Sequence, residues 1–198
     1  MESLTSFFLA LTSTSLCLIL LTSVCIGWGF WIGRWLQLDL NPKFFLQYLW
    51  LGFIGISLAV DLGHLVFPIN WILTASLGAI GIIGLINIPR SFFNGLYRHF
   101  SQFIEEKTAL TIFICSLYVL WCMQMLSGEI NYDAGMYYFS SIRWLNEYPI
   151  IPGLANLFAQ FGFNHTYFSF VALLNASPFA NNHFALGGIF LLGLSTST

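Results

Sequence analysis

Charge is what this sequence has least of. Of its 198 residues only 6 are Lys or Arg and 8 are Asp or Glu, 7% together. A soluble domain carries about 25%. So few charges cannot dress a water-facing surface, and most of the exterior must therefore face lipid. The net charge is -2 and there is no basic tail, so nucleic acid is not an expected partner. Cysteine is scarce too. Cys17, Cys25, Cys115 and Cys122 all lie inside apolar runs, where they act as small hydrophobes, without metal-ligand spacing or the pattern of a disulfide framework. The opening Met1-Glu2-Ser3-Leu4 has an acid and no base. A cleaved signal peptide needs a positive start and a short apolar core, so the run that follows reads as a retained transmembrane helix.

What the chain does have is apolar length, with 58% hydrophobic residues and a mean hydropathy of +0.80. Phe7 to Ile32, Phe44 to Phe67, Trp71 to Ile88 and Thr108 to Ser127 each approach or exceed the ~20 residues that cross a hydrocarbon core. A fifth run starts near Phe184. Tyr167 to Leu174 is too short to span and reads as a half-buried or re-entrant helix. The expected architecture is all-α, a polytopic membrane helix bundle forming one transmembrane domain over 1–198. The last residues, LLGLSTST, have no stop signal and no basic flank, as in the N-terminal part of a longer protein.

Arg34, Lys43, Arg90, Arg98 and Lys107 fall in links on one side of these spans, and Arg143 on the other. By the positive-inside rule the five are cytoplasmic. The N-terminus and the loop 129–164 then lie outside the cell (inner) membrane. Phe92, Leu96, Phe100, Phe103 and Ile104 recur at helical spacing between polar residues, which predicts an amphipathic helix lying on the cytoplasmic surface. Ala75, Gly78, Gly81 and Gly84 in the third span permit close helix contact. Asp61 and His64 stand at i and i+3 near the outer end of the second span. Ionisable groups in a membrane default to a functional hypothesis, so the pair reads either as support for the outer loop or as a hydrogen-bonded pair at the interface.

The loop EINYDAGMYYFSSIRWLNEYPIIPGLANLFAQFGFN is dense in acids, aromatics and amides between two apolar runs. Glu129 and Asp133 are four residues apart. Paired carboxylates supply a base or hold a divalent cation, although Asp133 also suits a helix N-cap and Glu129 a solvated loop position. Met136, Phe139, Ile142 and Leu145 form an apolar stripe, with Ser140, Arg143, Asn146 and Glu147 elsewhere. This predicts a helix flat on the outer leaflet, ended by Pro149 and Pro152. Tyr137, Tyr138, Trp144 and Tyr148 suit the headgroup level. Arg143 reads as a bidentate phosphate contact or as an interfacial cation. Asn156, Gln160 and Asn164 sit among aromatics, a composition that bonds and stacks on sugar rings and equally fits a re-entrant loop.

The run from Tyr132 to Asn164 resembles the loop of a bacterial family of multi-pass proteins related to the GT-C glycosyltransferases. Its pattern is Tyr-Asp-x-Gly-x-Tyr-His, a Trp-containing helix, Pro-Gly-Leu-x-Asn-Leu and a final Gly/Ala-Phe-Asn. The chain keeps Tyr132, Asp133, Gly135, Tyr137, Trp144, Pro152, Gly153, Leu154, Asn156, Leu157, Phe163 and Asn164. It has Tyr138 in place of His and Gln160 in place of Arg. The resemblance implies a GT-C-like fold, an outer-loop acid acting as base or metal ligand (here Asp133), and a sugar leaving a lipid-linked (polyprenyl phosphate) donor. Two other readings stand beside it. The departures at Tyr138 and Gln160 fit a non-enzymatic membrane subunit or a degenerate fragment. A transporter would use Asp61 and His64 as an ion-coupled pair, but no inverted repeat is visible.

Overall fold

The computed structural model describes residues 2–39, 41–126, 138–156, 159, 166–176 and 183–196. All regular structure among them is helical. The helices are α1 (Glu2–Trp35), α2 (Phe45–His64), α3 (Trp71–Ile86), α4 (Arg90–Glu106), α5 (Thr108–Leu126), α6 (Phe139–Glu147), α7 (Thr166–Asn175) and α8 (His183–Thr196). Two are long and apolar enough to cross a membrane, over Phe7–Trp35 and Pro42–His64, and α3 with α4 makes a third candidate bent by 88°.

Local chemistry sets the helix starts. Before α2, Pro42 opens a 3-10 turn where a missing N–H costs nothing, and the Asn41 side chain accepts from the Lys43 amide at 3.0 Å. Asn70 caps α3, its Oδ1 accepting from the amides of Ile72 and Leu73, each at 3.1 Å, a bond typically worth ~1 kcal/mol.

The bundle is built around α1, which packs antiparallel on α2 and parallel on α3. Small residues set the spacing. Gly52 lies against the Cys25 carbonyl and Gly27 against that of Gly81, so backbones touch where larger side chains would hold them apart. The Trp28 indole N–H donates to the Leu77 carbonyl at 2.9 Å. Cys25, Ile56, Val60 and Ile69 are fully buried.

Pro89 turns the chain away from α3, and α4 runs across the end of the bundle. Its apolar face meets α2 through Phe45–Phe100 at 5.8 Å and Tyr48–Phe92 at 6.1 Å between ring centres. Arg90, Arg98, Glu105 and Glu106 stay exposed. That is the amphipathic arrangement expected for 91–107. α5 stands apart, meeting chiefly α1 and the end of α4, with Ser15 and Tyr118 sharing a hydroxyl bond of 2.8 Å.

Helix α7 is the most deeply buried element: every residue from Ser169 to Leu174 is buried. Its 10 residues rise only about 15 Å, half a hydrocarbon core. It is enclosed by α2, α3, α6 and α8, with Phe170 meeting Phe53 at 5.1 Å and Phe190 at 5.9 Å. The short apolar run therefore forms a core helix rather than a half-buried one. Many large apolar side chains on the bundle's flanks are exposed, among them Leu58, Leu62, Ile83 and Ile86.

Candidate functional site

The end of the bundle opposite α4 carries α6, laid against the ends of α2, α3 and α7. The sequence explains the short helix. Its Ile142 is buried and Leu145 packs on the core, while Arg143 and Glu147 face outward. Pro149 follows, α6 stops at Glu147, and Gly153 takes a left-handed φ of 84° in the turn with Pro152, a conformation open to glycine because it has no Cβ.

Backbone bonds tie this segment to the end of α2 and the start of α3. The Ile69 amide donates to the Leu145 carbonyl at 2.8 Å, and the Ile150 amide to the His64 carbonyl at 3.1 Å. Asn146 supplies the side-chain tie. Its Nδ2 donates to the carbonyls of Ile69 at 2.7 Å and Ala172 at 2.9 Å, and its Oδ1 accepts from Asn175 Nδ2 at 2.6 Å. The Thr74 hydroxyl lies 3.1 Å from the Leu173 carbonyl. α6 and α7 thus form a ledge across the ends of α2 and α3, joined by polar contacts where the chain leaves its apolar core.

Asn146 was set apart from the apolar stripe on composition, yet it lies four residues beyond Ile142 and bonds inward. A polar residue at that spacing from a buried isoleucine is the signal that could have found it. Changing Asn146 to Leu removes all three bonds: the Ile69 carbonyl and the Asn175 amide lose this partner, while the Ala172 carbonyl keeps the Ala176 amide at 3.0 Å. Unpaired buried groups cost about 1–3 kcal/mol each. We expect a clearly lower unfolding midpoint in detergent for Asn146→Leu and a smaller drop for Asn175→Ala, which loses one of the three bonds. Unchanged midpoints would show that the ledge is not held by this triad.

Asp61 and His64 sit at this same end. Thr166 Oγ1, at the start of α7, donates to Asp61 Oδ2 at 2.9 Å. His64 is buried, with Nδ1 3.3 Å from the Phe67 carbonyl oxygen. Each therefore bonds a group other than its helical neighbour: Asp61 reaches α7, and His64 closes the turn after α2. Both stand beneath the segment that carries the loop residues.

Of the loop candidates, Tyr138 meets Phe168 with ring centres 5.2 Å apart. Trp144 meets Tyr148, also at 5.2 Å, an aromatic pair on the outer flank of α6. Arg143 Nε donates to Glu147 Oε1 at 2.7 Å. That carboxylate holds the exposed guanidinium above its ordinary pKa. An exposed i,i+4 pair is weak, so an anion can compete with Glu147 for the guanidinium. Asn156 is exposed at the end of a 3-10 turn, Leu154–Asn156, away from the bonded triad. The Ser141 hydroxyl is buried without a partner among the described residues. Glu129, Asp133, Tyr137, Gln160 and Asn164 lie outside the described residues. Among the described residues no group of three or more His, Cys, Asp or Glu side chains could hold a metal ion.

No curated protein and no solved structure matches the chain. A family model described as a domain of unknown function (DUF8201) matches residues 12–197. That match takes in nearly all of the sequence, and the chain belongs to this family.

Proposed function

We propose that the chain is a multi-pass protein of the cell membrane, with its basic end in the cytoplasm and the 129–164 loop at the outer face. There it transfers a sugar from a polyprenyl-phosphate-linked donor. In this reading α1, α2, α3 and α5 are the spans and α7 is a helix that enters from outside without crossing. The observation that carries it is the ledge. An amphipathic helix bonded to the span ends by Asn146, with Asp61 bonded to the re-entrant helix beside it, is a rigid mount at headgroup depth, where a lipid-linked sugar presents its scissile bond. Fixed mounts matter because positioned reacting groups gain far more rate than mobile ones. Asp133 is the proposed base or ligand for a divalent cation. Tyr137, Tyr138, Trp144, Asn156, Gln160 and Asn164 are the proposed sugar and lipid-phosphate contacts, with Arg143 exchanging Glu147 for the phosphate.

The test is genetic and chemical together. Deleting the gene should remove one sugar from an outer-surface glycan and let the polyprenyl-linked donor accumulate, and the full-length protein should restore both. Unchanged glycan and donor pools on deletion would argue for a non-enzymatic subunit.

A further inference from the structure

A second feature lies at the opposite end of the bundle. α1, α2, α4, α5 and α8 surround a cleft of about 910 Å³, within the range of about 300–1,000 Å³ typical of ligand pockets. Its walls are hydrocarbon and aromatic, among them Leu18, Leu49, Phe113, Leu117 and Phe190. Lys43 and His99 lie at its α4 end, and among the described residues no acid lines it. Neither Lys43 nor His99 takes part in an ion pair among the described residues. Along α5 the walls run from Leu110 to Tyr118, about 12 Å at 1.5 Å per residue. An apolar slot of this length with a lysine and a histidine N–H donor at one end matches an acyl chain below an anionic headgroup.

We propose that this cleft binds one anionic phospholipid of the inner leaflet. One acyl chain lies between α2, α5 and α8, and the phosphate rests on Lys43 and His99. Charge complementarity selects the occupant: a neutral partner helix would leave Lys43 without a counter-charge at its end. The lipid fills the gap that separates α5 from the bundle, so α5 is joined to α2 and α8 through it. The proposal rests on the membrane reading above but not on sugar transfer, and it concerns the face remote from the 129–164 loop.

Native mass spectrometry of the full chain, extracted in mild detergent and offered phosphatidylglycerol or phosphatidylcholine, tests it. The parent should retain one phosphatidylglycerol and prefer it to phosphatidylcholine. Lys43→Gln should lower that preference about five-fold, the factor set by one lost cation near a membrane phosphate, and leave phosphatidylcholine binding as it was. Gly193 lines the cleft, and a Cβ there meets nothing within 4 Å. Gly193→Trp should therefore place bulk in the slot and abolish retention of both lipids, with an unchanged unfolding midpoint showing that the fold is kept. Equal retention of the two lipids by the parent, an unchanged preference in Lys43→Gln, or full retention by Gly193→Trp would each overturn the proposal. A parent that retains no lipid would overturn it in favour of a protein segment in the cleft.

Discussion

Under the proposed function, Asp133→Asn in the full-length protein should abolish transfer while expression and thermal unfolding stay as in the parent. Two roles compete for this residue, and the substitution separates them. A helix cap needs a side-chain oxygen that accepts backbone bonds. Asn provides one, and even loss to Ala at a cap costs only about 0.5–2 kcal/mol. A base or cation ligand needs charge and basicity, which Asn lacks, and general-base losses run to about 10²–10⁴-fold in rate. Donor turnover by membranes expressing each variant, read beside the unfolding midpoint, gives the answer. Retained turnover would make Asp133 a cap and move the catalytic role to Glu129. Parallel loss of turnover and stability would make it structural.

Gly52→Ala should sharply lower the yield of folded protein. Gly52 and Cys25 sit where α2 crosses α1, and a methyl group on Gly52 would overlap the Cys25 carbonyl oxygen and crowd its carbonyl carbon. Both are backbone atoms, so no rotamer relieves the clash and the helices themselves must move apart. Overpacking a core costs about 1–3 kcal/mol, and here the displacement runs along the central pair of the bundle. Gly78→Ala is the control: a Cβ at Gly78 meets nothing within 4 Å and should be neutral or slightly stabilising. Folded yield by size-exclusion chromatography in detergent reads both. Equal yields would mean that the close contact of α1 with α2 is not needed for folding.

The helices were legible because apolar length and helical spacing are strong local signals. The second run, 44–67, and the amphipathic 91–107 reappear as α2 and α4 within a few residues. α3 stops at Ile86, and the chain turns after it because Pro89 cannot continue a helix. The stop after α6 was equally readable from Pro149 and Pro152. The ledge was not. Its ties join Asn146 to Ile69, Ala172 and Asn175, residues far apart in sequence whose meeting depends on how α7 packs. The same holds for Asp61, whose partner Thr166 lies 105 positions on. Helical spacing placed Asp61 and His64 on one face, but only tertiary packing shows Asp61 reaching α7, while His64 closes the local turn at Phe67. Length alone marked α7 as unable to span. The burial of Ser169 to Leu174 follows from Phe53 and Phe190 closing on Phe170, which no local window contains.

The account stands on which end of the bundle faces out, and labelling in intact cells measures that directly. Asn94 is exposed on α4, at the basic end, and Asn131 lies in the 129–164 loop. Asn94→Cys and Asn131→Cys are made separately in a chain whose native cysteines are changed to Ala, and each is exposed to a membrane-impermeant maleimide. The account predicts labelling of the position 131 variant in intact cells and of the position 94 variant only after permeabilisation. Labelling at position 94 in intact cells with protection at 131 would contradict it, since the loop would then face the cytoplasm and not the outer surface that the proposed transfer needs.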